Sequence, residues 1–186
     1  MEGRSEKIAA LRRLAISESS LDAGTVPLGH ADADAIIGGI RLGALHEVYA
    51  GNASHAGAAS GFAIALALRL GRAKALFWIG TDFATLEYGA LNGSGLVEFG
   101  VDPKALVLVR LAKGEDALRA AGDILACNAT GAVILEVSGH LKALDLTASR
   151  RLSFAAAQRG ASPTLLRLGA VPQASAAAPR WLIRSP

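Results

Sequence analysis

From Ala44 onward, short apolar runs of strand type alternate with segments of helical period, and this alternation limits the fold more than any other feature of the chain. Residues 45–49, 75–79, 106–109, 132–137, 164–168 and 181–183 read as strands. Segments 62–70, 113–127 and 145–159 read as helices, the first ended by Gly71 and the last by Gly160. Thr81 or Asp82 can cap a further helix, and Ser162-Pro163 reads as a turn. The clearest buried strand is 132–137, apolar throughout except for Glu136. Strands separated by crossovers of this length pair in parallel, with helices on both faces, so the expected fold is α/β with a mainly parallel sheet flanked by helices. No internal repeat is present.

Residues 1–39 read as an N-terminal helix and linker, and 40–186 as the core domain. The segment 6–16 places Ile8, Leu11 and Leu14 on one helical face, which can pack on its own core or on a neighbouring subunit. These three are candidate partner-binding residues, and a homo-oligomer follows from the second choice. Residues 17–39 read as a long, partly ordered connection, and the Ala/Ser/Pro stretch 172–179 as a mobile loop between the last two strands.

The 186 residues suit one domain with an extra terminal segment, and 52% apolar residues supply a sizeable core. Aromatics at 5% fit helices packed on a sheet better than an aromatic-rich sandwich. A net charge of +3 and a pI near 9.4 are compatible with a nucleic-acid partner without requiring one. No signal peptide is read at the N-terminus, and the apolar runs break well before the roughly 18 residues of a membrane helix, so a cytoplasmic protein is expected. Cys127, the single cysteine, excludes an internal disulfide and reads as a reduced core thiol. His30, His46, His55 and His140 are scattered without an i, i+4 pair, so no metal site is expected, and no G-x-S-x-G elbow is present.

Segment 47–70 is strand, small-residue loop and helix in succession, the place where a doubly wound sheet holds phosphate. Its approach is similar to the strand that enters the phosphate loop of RecA-type recombinases. Such a loop needs G-x-x-x-x-G-K-[ST]: backbone N–H groups cradle the phosphates, Lys neutralises charge, and the hydroxyl holds Mg²⁺. Aligned from Glu47, the loop between Gly51 and Gly61 puts Ala56 at the lysine position and Gly57 at the hydroxyl position. The nearest lysine is Lys74, beyond the helix. Losing that cation costs several powers of ten in phosphoryl-transfer rate, so the loop reads as a degenerate P-loop, the protein as a non-enzyme, and no cofactor is expected. Glu136 ends its apolar run where a Mg²⁺-holding acid belongs. It reads as a vestige of that position, with a structural ion pair or a helix cap as the other role.

Taken together, the order of elements resembles the ImuA family, RecA-like accessory proteins of bacterial damage-induced mutagenesis. The likeness runs from Leu28 to Trp181 and is carried by Ile40-Arg41-Leu42-Gly43-Ala44-Leu45-His46-Glu47-Val48-Tyr49 and Phe99-Gly100-Val101-Asp102-Pro103-Lys104-Ala105-Leu106-Val107-Leu108-Val109-Arg110. Glu115-Asp116-Ala117-Leu118-Arg119-Ala120, the run into Glu136, Ser149-Arg150-Arg151-Leu152 and Ala157-Gln158-Arg159-Gly160 add to it. The loop from Gly51 departs from the family in its Ala/Gly richness, and the chain stops soon after Arg184, so a longer tail, if the family uses one for a partner, would be missing here. The resemblance implies a RecA-like core and a role in SOS-induced translesion DNA synthesis. It implies work with ImuB, an inactive Y-family polymerase homologue, and with an error-prone replicative-type polymerase; contact with RecA is also open.

Arg150 and Arg151, with Arg159 and Arg167, form a candidate basic surface near the sheet edge for a partner or for DNA. Two other readings stand beside the adaptor. One is a cell-division inhibitor resembling SulA, a RecA-related fold without a P-loop. The other is a divergent ATPase drawing its cation from Arg69, Arg110 or Lys113.

Overall fold

The computed structural model describes residues 24–71 and 74–185. The helix expected at 6–16, with Ile8, Leu11 and Leu14, lies outside them. The expected connection carries structure of its own. Strand β1 (Thr25–Val26) pairs antiparallel with β2 (Ile40–Arg41), and helix α1 (Ala31–Ile37) lies between them. Local polar side chains make this short helix: His30 Nδ1 accepts from the Ala33 N–H as N-cap, and Gly38 closes the other end in the left-handed conformation. The Asp34 carboxylate accepts from the Leu28 and Gly29 N–H groups, which holds it below the usual carboxylate range.

The remaining strands are β3 (His46–Ala50), β4 (Ala75–Thr81), β5 (Leu106–Leu111), β6 (Thr130–Ser138), β7 (Ser162–Leu168) and β8 (Arg180–Ile183). They form one six-stranded sheet in the order β5-β4-β6-β7-β3-β8, and every neighbouring pair is parallel. The expected mainly parallel α/β fold is thus present. Its crossovers are α2 (Ala56–Leu70), α3 (Asp82–Tyr88), α4 (Gly93–Glu98), α5 (Gly114–Leu125) and α6 (Leu146–Arg159). Asp145 caps α6 through its carboxylate, 2.7 Å from the Ala148 N–H. The short helix α4, capped by Asn92, has no apolar period to betray it in the sequence.

Side chains alternate along the central strands and sort the helices. Val48, Trp78, Ala132, Ile134 and Leu166 face the layer of α2 and α4, meeting Ala59, Ala63, Ile64, Leu66, Ala67 and Leu96. Leu45, Ile79, Val133, Leu135 and Leu165 face α5 and α6, meeting Ala117, Ala121, Leu125 and Leu152. Each of the larger buried aliphatic side chains contributes roughly 1.5–3 kcal/mol of transfer free energy. Alanines at four-residue spacing let α2 lie close on the sheet. The approach is tightest where α2 ends: a Cβ on Gly131 would collide with the Gly71 carbonyl oxygen.

Three expectations are corrected. Ser162 and Pro163 begin β7 rather than forming a turn, proline being tolerated at the start of a strand. Cys127 is exposed, because α5 ends at Leu125 and the thiol sits on the turn that leads into β6. Arg167 belongs to the core. Its Nη1 lies 3.1 Å from Glu47 Oε1, and both side chains are buried.

That ion pair is the centre of a network joining β7, β3 and β8. Arg180 Nε donates to Glu47 Oε2 at 2.9 Å, and Arg180 Nη2 donates to Tyr49 Oη and to the Gln173 carbonyl. Both guanidinium groups lie over the Tyr49 ring, 5.6 and 5.4 Å from its centroid. Burial pushes the Tyr49 phenol above its usual range. The network ties the stretch containing Gln173 to the sheet through a side chain–backbone bond.

Candidate ligand cleft at the strand ends

Two neighbouring strands send their chains to opposite faces. β4 leads into α3 and α4, on the α2 side, while β6 leads into α6, on the other. A doubly wound sheet takes its ligands in the crevice such a divergence opens at the carboxyl ends of the strands. A cleft of about 290 Å³ lies there, lined by Ala56, Gly57, Ser60 and Gly61 of α2, Trp78 of β4, Glu136 of β6, and residues 88–99 around α4.

The phosphate-loop residues Gly51, Ala56, Gly57 and Gly61 divide between the loop and the helix. The helix starts at Ala56 rather than 62, because Ala-Gly-Ala-Ala-Ser carries no β-branch or ring to resist the first turns. A single 3-10 turn, Ala53–His55, precedes it, with Asn52 as its cap. Four of the loop's amides are engaged internally. Gly51 N–H donates to the Ile183 carbonyl at 2.8 Å, Ser54 N–H to Asn52 Oδ1, His55 N–H to the Asn52 carbonyl, and Ala56 N–H to the Ala53 carbonyl. The segment after β8 also lies on the loop: Ser185 N–H and Oγ both meet His55 Nδ1, at 3.1 and 2.9 Å. A Cβ on Gly51 would come within 3.0 Å of both His55 and Arg184.

Glu136 sits at the floor of the cleft. Its Oε2 accepts from Trp78 Nε1 at 3.0 Å, neither an ion pair nor a helix cap. Burial raises its pKa above the ordinary carboxyl value, and the indole bond offsets this in part. Gly80 makes room for the carboxylate, since a Cβ there would lie 3.1 Å from Oε2. On the outer wall, Phe99 closes over Gly61, where a Cβ would meet the ring at 3.1 Å. Trp78 is buried and Phe99 is 55% exposed.

No lysine, arginine or histidine lines this cleft among the described residues, and Glu136 is its one carboxyl. The cations weighed for a divergent ATPase lie elsewhere. Arg69, in the last turn of α2, donates to the Ala65 carbonyl; Arg110 pairs with Asp82 at 2.8 Å; Lys113 precedes α5 as its N-cap residue. Among the described residues, no group of three or more His, Cys, Asp or Glu is placed to hold a metal ion.

Arg150 and Arg151 are exposed on α6. Arg151 lines a second, wider cleft between α5 and α6 with Glu115, Arg119 and Asp145, so its surroundings are of mixed charge. Arg159 donates to Asn128 Oδ1. With Arg167 in the core, these arginines make no continuous basic strip. Sequence reasoning missed Trp78, Phe99 and Ser185 as parts of the cleft and its loop. The signal for Trp78 was its place in a strand next to the one carrying Glu136, which needs the strand order to be read.

The sheet and cleft define a parallel α/β protein whose strand-end cleft carries a carboxyl and, among the described residues, no cation. No protein-family model and no curated protein matches the chain. Among solved structures it is similar to SulA from Pseudomonas aeruginosa, at 17% identity over 67% of this chain and 98% of that one, with a TM-score of 0.49. A likeness this distant leaves function to be argued from the residues. Among the described residues, no helix is long and apolar enough to cross a membrane.

Proposed function

We propose that the protein is a non-catalytic RecA-like accessory module of SOS-induced mutagenic translesion synthesis that binds an ImuB-type inactive polymerase homologue. The observation that carries the non-catalytic part is the charge of the strand-end cleft. A nucleotide's phosphates need a cation and free amides; this cleft presents Glu136, and the Gly51, Ser54, His55 and Ala56 amides are already bonded within the chain. The residue order through Ile40–Tyr49, Phe99–Arg110 and the run into Glu136 supports the choice of partner. In this reading the parallel sheet is a rigid scaffold, and recognition takes place on its surfaces. RecA and an error-prone replicative-type polymerase are further partners of the same assembly.

The test is co-purification of the chain with the ImuB-like protein of its own genome in nucleotide-free buffer, followed by sizing. A stable complex is expected. A clean folded monomer or dimer with no complex would overturn the reading. Filamentation of cells on overexpression with unchanged mutagenesis would replace it with the division-inhibitor reading.

A further inference from the structure

The strand-end cleft joins one carboxyl to aromatic walls. Its floor is the Glu136 carboxyl, and Trp78, Tyr88 and Phe99 bring aromatic rings to its lining. A carboxylate accepts several hydrogen bonds, and one, from Trp78, reaches Oε2. Gly57 and Ser60 line the α2 side ahead of the point where Phe99 covers Gly61, and a Cβ on Gly57 would meet nothing within 4 Å. A cation bonded to the carboxyl would offset the desolvation that raises its pKa. The volume, about 290 Å³, is at the small end of ligand pockets and suits one long side chain rather than a folded element.

Among cations, guanidinium matches these walls best. It stays charged at all working pH, is weakly hydrated, stacks on aromatic rings and pairs with a carboxylate through a fork of donors. An ammonium group carries a tighter hydration shell that such a cleft would have to strip. We infer that the cleft receives one arginine side chain of a partner protein, its guanidinium on Glu136 and its stem along Gly57 and Ser60 of α2. The inference rests on the protein-binding reading for the source of that arginine only.

The test titrates the full chain with N-acetyl-arginine methylamide and follows the Trp78 indole N–H by NMR. Binding of about millimolar strength is expected, with no shift from the citrulline counterpart, which has the same shape and no charge. Glu136→Gln, which keeps an acceptor for Trp78, is expected to weaken binding at least tenfold. Gly57→Leu fills the cleft from an open position and is expected to abolish binding without lowering the melting temperature. Equal binding of citrulline, binding untouched by both variants, or no shift at tens of millimolar would overturn the inference. Arginine binding without any polymerase-like complex would overturn the adaptor reading and leave the cleft's specificity standing. A complex untouched by both variants, with no probe binding, would do the reverse.

Discussion

Trp78 on β4 donates its indole N–H to the Glu136 carboxylate on neighbouring β6 at 3.0 Å, joining the two strands at which the chain diverges to opposite faces of the sheet. The carboxyl is held where burial disfavours its charge, and its folded pKa lies above the ordinary value. The unfolded chain therefore ionises it more easily, and the favourable contribution of this group is present below about pH 4.5 and lost as pH rises through the folded pKa. Glu136→Gln is expected to raise the melting temperature at pH 7, by about 2–4 °C per kcal/mol recovered, and to give no gain near pH 4. Thermal melts of the two proteins across that range check it.

His46 has the opposite sign. Its folded pKa is lowered, first by burial, so the native state keeps a neutral ring bonded to the Arg41 carbonyl. Its contribution is complete above about pH 6.5 and is lost as pH falls from there through the folded pKa, because the unfolded chain takes up the proton first. Denaturant unfolding between pH 7.5 and 5 is expected to show stability falling, with a shallower fall in His46→Gln.

Glu47 is the buried acceptor of both Arg167 and Arg180. Glu47→Ala leaves the Arg167 charge in the core without its counter-ion and is expected to cost about 3–5 kcal/mol, measured by urea unfolding. Arg180→Ala, at the partly exposed end of the same network, is expected to cost less.

Two glycines separate packing from openness. Gly131→Ala forces a methyl group against the Gly71 carbonyl and is expected to cost about 1–3 kcal/mol. Gly57→Ala adds a methyl group to an open helical position and is expected to stabilise by about 0.5–1 kcal/mol.

The strands were legible because those in the sheet's centre are covered on both faces and must be apolar throughout, as 132–135 are. Helix α5 was legible from its apolar period and α6 from the Gly160 that closes it. Short α1 and α4 were not, since His30 and Asn92 hold them by local capping rather than by an apolar stripe. Arg167 looked like surface charge because nothing in its own segment shows that Glu47, 120 positions away, lies beside it. The cleft was half visible. Ala56 and Gly57 marked the missing cation, and Glu136 marked the floor, but Trp78, Phe99 and Ser185 join them only through strand order and chain reversal.

The most direct measurement is calorimetric titration of the purified full chain with Mg·ATP, paired with a phosphate-release assay. With Glu136 in the cleft, no lysine or arginine lining it among the described residues, and the Gly51, Ser54, His55 and Ala56 amides bonded within the chain, the expected result is no binding tighter than about millimolar, roughly −4 kcal/mol, and no turnover. Micromolar affinity with phosphate release would contradict the non-catalytic assignment and make the protein an ATPase with its cation supplied from outside this cleft.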